Sequence, residues 1–185
     1  VNYIKSLTML FFLALCFAAQ AQTVQPTCGA PFKVLARQRI SNINREFMVV
    51  EWTSPKSHDW FIGFAKSCRL GSALGYPQNS QTRFEFDKIR TGPLRSHLLD
   101  TWVGGVLAYE WFSTNPINNG FIAEDGNRTK ISVPGGWCSN KSCFAPGEPD
   151  GNEYYLGYSK THAGLYADKE LRTTMKRGLI EFVVP

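Results

Sequence analysis

Residues 144–158 read FAPGEPDGNEYYLGY. Glu148, Asp150 and Glu153 crowd around Pro149, and a strand-like run, Tyr154-Tyr155-Leu156-Gly157-Tyr158, follows at once. Upstream, residues 113–153 hold many Asn, Gly, Pro and Asp and show little periodicity. A loop of some 40 residues is unusual inside a domain and is functional or disordered when it occurs. This one carries Trp137, Cys138, Cys143 and several prolines, which favours an ordered, functional loop.

Working outward, Phe47-Met48-Val49-Val50-Glu51-Trp52 is apolar and β-branched and predicts a buried strand. A helix is expected after Ser54-Pro55, with Ser57 as N-cap. Trp60, Phe64 and Cys68 recur at helical spacing, and Gly71 is the natural stop. Asn79 is a plausible cap for a second helix reaching Arg90, with Phe86 and Ile89 on one face. Short strands are expected at Trp102–Val106 and Tyr109–Phe112, and a closing strand at Leu179–Val184. Trp60, Trp102 and Trp111 are assigned to the core, whereas Trp137, Tyr158 and Tyr166 are freer to face a ligand.

The 185 residues are 43% apolar and 19% charged, enough to bury a core and to exclude wholesale disorder. Sixteen Gly and 10 Pro argue against a long-helix bundle. The formal charge of +5 could suit nucleic acid, but no Lys/Arg run exceeds the pair Lys176-Arg177. The charge is read as a solvated surface, with no nucleic-acid partner.

Residues 1–21 read as a signal peptide: Lys5 is a positive n-region, Leu7 to Ala18 an apolar h-region, and Ala19-Gln20-Ala21 a small-x-small cleavage site. The apolar run is too short for a bilayer that needs roughly 20 residues, so no membrane span is expected in the mature chain. Residues 22–185 then form a single secreted or extracellular domain, with a periplasmic location also open. A first residue Val, taken as an alternative start codon translated literally, points to a bacterial source. Cys16 leaves with the leader. The remaining Cys28, Cys68, Cys138 and Cys143 suit two disulfides in an exported chain. Three pairings are possible. A local Cys138–Cys143 clip is the simplest, leaving Cys28 with Cys68. A zinc site is disfavoured, since neither half has CxxC spacing and no histidine is near.

The order of these pieces resembles the C-type lectin-like domain over roughly residues 30–185. Ser57-His58-Asp59-Trp60 is similar to the start of the family's first helix. Leu74 to Ser80 resembles the turn into the second. Trp102-Val103-Gly104-Gly105 resembles its WIGG-type strand, and Tyr109-Glu110-Trp111 the aromatic strand after it. Phe144 to Asp150 is similar to its W-x-x-G-E-P-N loop, followed by Glu153 to Leu156. Gly164-Leu165-Tyr166-Ala167-Asp168 sits where the family has G-x-W-N-D, and Gly178 to Phe182 resembles its closing strand. The resemblance implies an α+β fold: two helices flank a small antiparallel sheet whose first and last strands pair, with a long ordered loop region. It implies Ca²⁺ held by Glu148, Asp150, Glu153 and Asp168, with a cis Glu148–Pro149 bond between the first two. Glu148, Asp150, Glu153, Tyr166 and Asp168 are the implied ligand-binding set, for two hydroxyls of a carbohydrate or cell-surface glycan.

The chemistry suits that reading. Ca²⁺ takes six to eight oxygens at about 2.3–2.6 Å. A sugar hydroxyl that ligates the metal can also donate a charge-assisted hydrogen bond to a coordinating carboxylate. Two departures matter. Ala167 deletes a side-chain oxygen that the family's Asn supplies, and Glu148-Pro149-Asp150 mixes the family's Glu/Asn and Gln/Asp triplets. The bland alternative is that these acids are ordinary surface charges. A metal-independent domain used for contact with an extracellular protein, or for surface adhesion, is therefore kept beside the sugar-binding reading. No GxSxG, HExxH or phosphate-cradling loop occurs, and His58, His97 and His162 are the only histidines, so the chain is read as non-enzymatic. Paired Glu148 and Glu153 could serve glycoside hydrolysis, but no cleft signature accompanies them.

Overall fold

The computed structural model describes residues 32–68, 73–74, 82–124, 128–151 and 153–184. The leader, Cys28 and the expected cap Asn79 lie outside them.

The frame is set by two strands that are apolar on both faces. β2 (Arg45–Lys56) and β8 (Met175–Val183) pair antiparallel, with Phe47 opposite Glu181 and Val49 opposite Leu179. Phe47, Val49 and Leu179 enter one core, while Met48, Val50, Ile180 and Phe182 enter a second. A strand buried on both faces shows a continuous apolar run instead of alternation, which is why 47–52 was legible. β1 (Lys33–Ile40) lies at the edge beside β2, joined through a 3-10 turn at Ser41–Ile43. Asn44 closes that turn in the left-handed region, which asparagine tolerates better than most residues.

The helices cover opposite faces, as the resemblance implied. α1 (His58–Cys68) sets Phe61, Phe64, Ala65 and Cys68 against Met48 and Trp102. Its first turn is capped by Ser57, whose Oγ accepts from the Trp60 N–H at 3.2 Å. α2 (Arg83–Thr91) sends Phe86 and Ile89 into the other core. Its cap is Thr82, in a reciprocal box with Glu85: the Thr82 N–H donates to Glu85 Oε2 at 2.6 Å.

The remaining strands are β3 (Ala73–Leu74), β4 (Thr101–Leu107), β5 (Phe121–Ala123), β6 (Tyr155–Tyr158) and β7 (Tyr166–Lys169). The sheet runs β1-β2-β8-β4-β6-β7, with β3 on β8 and β5 on β4. Two expectations are corrected. The sheet is mixed, because β4 runs parallel to β8. The closing strand pairs with β2, the first strand expected from the sequence, and β1, hidden by its polar sequence KVLARQRI, adds to the other edge of β2. Tyr109–Trp111 is a 3-10 turn, and Trp111 stands 43% exposed instead of in the core. There the Ala108 N–H turns to the Gly120 carbonyl at 2.9 Å, so the chain folds back on β5. No helix among the described residues is long and apolar enough to cross a membrane.

Candidate functional site

The long loop is ordered by its own bonds. Cys138 and Cys143 form the expected disulfide. Cys68 is also disulfide-bonded, and its expected partner Cys28 lies outside the described residues. Beyond the clip, the chain zips onto the start of β7: the Tyr166 N–H donates to the Cys143 carbonyl and the Ala145 N–H to the Tyr166 carbonyl, each at 2.8 Å. Gly147 then turns the chain at φ +85°, a region that disfavours a side chain. This anchoring delivers residues 148–150 to Asp168, two positions along β7 from Tyr166.

Glu148, Asp150 and Asp168 each offer a carboxylate oxygen, and these oxygens lie within 4.8 Å of one another. The Glu148–Pro149 bond between the first two is cis. The Asp150 N–H donates to Asp168 Oδ1 at 3.1 Å. Asp168 is buried, Glu148 partly buried and Asp150 exposed. Glu148 Oε2 and Asp168 Oδ2 are buried with no hydrogen-bond donor. Glu153 falls outside this tight group but feels it. Burial, then Asp168 and Asp150, push its carboxyl up to about 7. Burial, then the neighbouring Asp168 and Asp150, push Glu148 up to about 8. Burial also raises Asp168, against the pull of a hydrogen bond from the Glu148 carboxyl and of backbone N–H donors at Asp150 and Gly151. Crowded carboxylates behave this way because each disfavours ionisation of the next.

Two residues at the site were not foreseen. Asn119 is buried; its side-chain oxygen accepts from the Ser113 N–H at 2.9 Å and its amide donates to the Gly151 carbonyl at 3.2 Å. Lys141 donates its ammonium to the Asn119 carbonyl. Burial pulls the Lys141 pKa down to about 8 while Asp168 acts in the opposite direction. One asparagine and one lysine in a loop of polar residues carry no sequence signal that would have singled them out.

Other expected ligand contacts are corrected. Tyr166 is fully buried, packed between Phe86, Tyr158 and Phe144, and presents no face to a ligand. Tyr158 is equally buried, and Trp137 packs on Phe86 and Tyr166. The Tyr158 and Tyr166 rings fill the core beneath the loop, while Trp137 is half-buried against it. Ala167 is buried and brings no oxygen. His162 is exposed and hydrogen-bonded to Thr161, consistent with an ordinary loop histidine.

The donor set fits a hard divalent cation. Several carboxylates converge, and two of their buried oxygens lack any donor, which is the arrangement that oxygen-seeking Ca²⁺ satisfies.

No family model matches the chain, and no curated protein matches it. Solved structures do. The cow C-type carbohydrate-recognition domain of CD23, determined in the presence of a GlcNAc2Man3 oligosaccharide, superposes with a TM-score of 0.50 at 15% identity, over 87% of this chain and 99% of that one. The C-type lectin CEL-I from Cucumaria echinata gives 0.47 at 15% identity, over 83% and 96%. The likeness shows the fold: α+β, C-type lectin-like, with an acidic cluster at the end of its long loop.

Proposed function

We infer that the chain is a secreted carbohydrate-binding module in which Glu148, Asp150, Glu153 and Asp168 hold Ca²⁺ and, with it, two hydroxyls of a glycan. The observation that carries this reading is the convergence of Glu148, Asp150 and Asp168 with two buried oxygens that no donor satisfies. Bound there, Ca²⁺ supplies a positive centre with coordination positions left for hydroxyl oxygens. The protein's part is to hold the carboxylates in place and to accept hydroxyl protons in charge-assisted hydrogen bonds. The disulfide and the apolar leader support an oxidising, extracellular destination. A binding role is what the likeness to a C-type carbohydrate-recognition domain supports.

Calorimetric titration with Ca²⁺, followed by a glycan array with and without chelator, tests the reading. Saturable Ca²⁺ binding and chelator-sensitive glycan binding are expected. A silent titration at millimolar Ca²⁺ refutes it and favours metal-independent contact with an extracellular protein. Ala167 and the exposed rings of Tyr109, Trp111 and Phe112 speak for that second reading.

A further inference from the structure

An open groove of about 420 Å³ lies at the β4–β5–β6 surface, away from the acidic cluster. None of Glu148, Asp150, Glu153 and Asp168 lines it, although Tyr154 of its wall follows Glu153 directly. The groove is walled by Val106, Ile122, Tyr109, Tyr154, Tyr155 and Leu171. Tyr109 and Leu171 are 75% and 58% exposed, large apolar surfaces among the described residues. Its volume is in the range that encloses small ligands.

One acid enters this apolar wall. Glu124 lines the groove, and among the described residues no lysine or arginine lies within ion-pair distance of its carboxylate. Its near neighbour is His58, with Nε2 at 3.4 Å. That histidine is not a cation: burial lowers its pKa to about 4. Its Nε2 is 2.9 Å from the Val103 carbonyl, which can only accept, so the nitrogen carries the proton and gives it to Val103. A second acid, Asp59, stands nearby and accepts from the Tyr155 hydroxyl at 3.1 Å. Asp59 adds to the burial that pushes Glu124 up to about 7, and Lys66 opposes it from a distance. The arginine of the groove, Arg128, is held by Glu110 at 2.6 Å. Carboxylates here lack a matching cation, and they are set among tyrosine rings.

We propose that this groove binds an organic ammonium, a protonated amine on an apolar or aromatic body, whose N–H donates to Glu124 while its body packs on Tyr109, Tyr154 and Leu171. The ammonium gains a charge-assisted hydrogen bond from the carboxylate and attraction from the tyrosine faces. The aliphatic wall of Val106, Ile122 and Leu171 takes the body. A neutral molecule of the same shape loses the first contribution, and an anion meets repulsion from Glu124 and Asp59. The site stands apart from the acidic cluster and does not depend on the sugar-binding reading.

The test is a titration of the intact domain with 2-phenylethylammonium, 2-phenylethanol and 3-phenylpropionate, followed by NMR and calorimetry in saturating Ca²⁺. Saturable binding of the amine is expected at millimolar concentration or below. The alcohol should bind roughly ten-fold or more weakly, the scale of one hydrogen bond to a charged group, and the anion not at all. Glu124→Gln should lose the preference for amine over alcohol. Tyr109→Ala, at an exposed position that folding does not need, should weaken the amine several-fold. The proposal is overturned by equal binding of amine and alcohol, by binding of the anion, or by no saturation. It is equally overturned if Glu124→Gln keeps the preference, or if Ca²⁺ abolishes amine binding, which would place the amine in the acidic cluster.

Discussion

Arg45 is the residue whose loss should cost this domain most per atom removed. Its Nη1 donates to Glu85 Oε1 at 2.6 Å and to Glu181 Oε1 at 2.8 Å, and all three side chains are buried. Two carboxylates thus share one guanidinium. Glu181 is fully buried, its Oε2 has no hydrogen-bond donor, and burial raises its pKa well above the usual carboxylate range. Burial disfavours the charged form of Glu181, and Arg45, shared with Glu85, opposes it. Replacing Arg45 with Met leaves Glu85 desolvated and uncompensated, which costs about 3–5 kcal/mol. For a domain of this size that is a fall in melting temperature of roughly 6–20 °C. Glu181→Gln removes a carboxyl whose charged form burial disfavours and keeps an acceptor for Arg45, so it should cost about 1 kcal/mol or less. The pH dependence has a definite sign. A carboxyl whose pKa is raised by folding stabilises at low pH. That contribution falls as pH rises from the ordinary value of 4.5 toward the native one. Wild type should therefore lose stability relative to Glu181→Gln across that rise. Denaturant unfolding of wild type and both variants at several pH values checks this. Equal losses for Arg45→Met and Glu181→Gln, or a pH-independent difference between wild type and Glu181→Gln, would refute the reasoning.

At the acidic cluster, Ca²⁺ at a hundred times its dissociation constant should stabilise by about 2.7 kcal/mol. Asp150→Ala and Asp168→Ala should each remove most of that gain, read by scanning calorimetry. Without Ca²⁺, raised Glu153 and Glu148 should make stability fall as pH climbs from the ordinary glutamate value of 4.5 through about 7 and 8. Added Ca²⁺ should flatten that slope, and an unchanged slope counts against metal binding there. Replacing Cys138 and Cys143 together with Ala should cost about 2 kcal/mol, the low end for a disulfide, because the loop it closes is short. A larger loss in chemical denaturation would mean that the clip holds more than its own loop.

Much of this was written in the sequence, and the misses have physical causes. β2 and α1 were legible because Phe47–Val50 and Phe61–Cys68 bury nearly every apolar side chain they carry. β1 was not, because an edge strand pairs on one side only and KVLARQRI keeps its polar residues in solvent. Tyr109–Trp111 alternates like a strand, yet no neighbour remains for it where the chain doubles back through Gly120 to β5. Glu148, Asp150 and Asp168 were found from order and spacing within a resemblance, and the loop's bonds to β7 bring them together. Tyr166 was read as facing a ligand because it lies two residues from Asp168, but both are buried and its ring fills the core under the loop. Glu124 could not be seen at all, since its partners His58 and Asp59 are brought by a different helix.

The distribution of charge ties the three acidic places together. The chain has 20 Lys and Arg against 15 Asp and Glu. Even so, Glu85 and Glu181 meet only Arg45, and Glu148, Asp150, Glu153 and Asp168 meet Lys141 and Lys169. Glu124 and Asp59 have Lys66 at a distance. Eight acids therefore stand against four cations in a chain that is basic elsewhere. Like charge held together costs folding energy, and each place must be balanced by something. The Arg45 group is closed to solvent, so its own guanidinium must offset both carboxyls, and burial favours the uncharged form of Glu181. The other two are open, so a cation from solution can do it, and their surroundings select which. Converging carboxylate oxygens without donors suit a hard divalent ion, which strips little from an oxygen cage. Glu124, with Asp59 nearby, among tyrosine rings and aliphatic walls suits a softer monovalent cation with an apolar body, since a hydrated divalent ion gains little from ring faces. Ca²⁺ and 2-phenylethylammonium should accordingly bind additively, each leaving the other's titration midpoint unchanged. Competition between them would show that the two open sites are one.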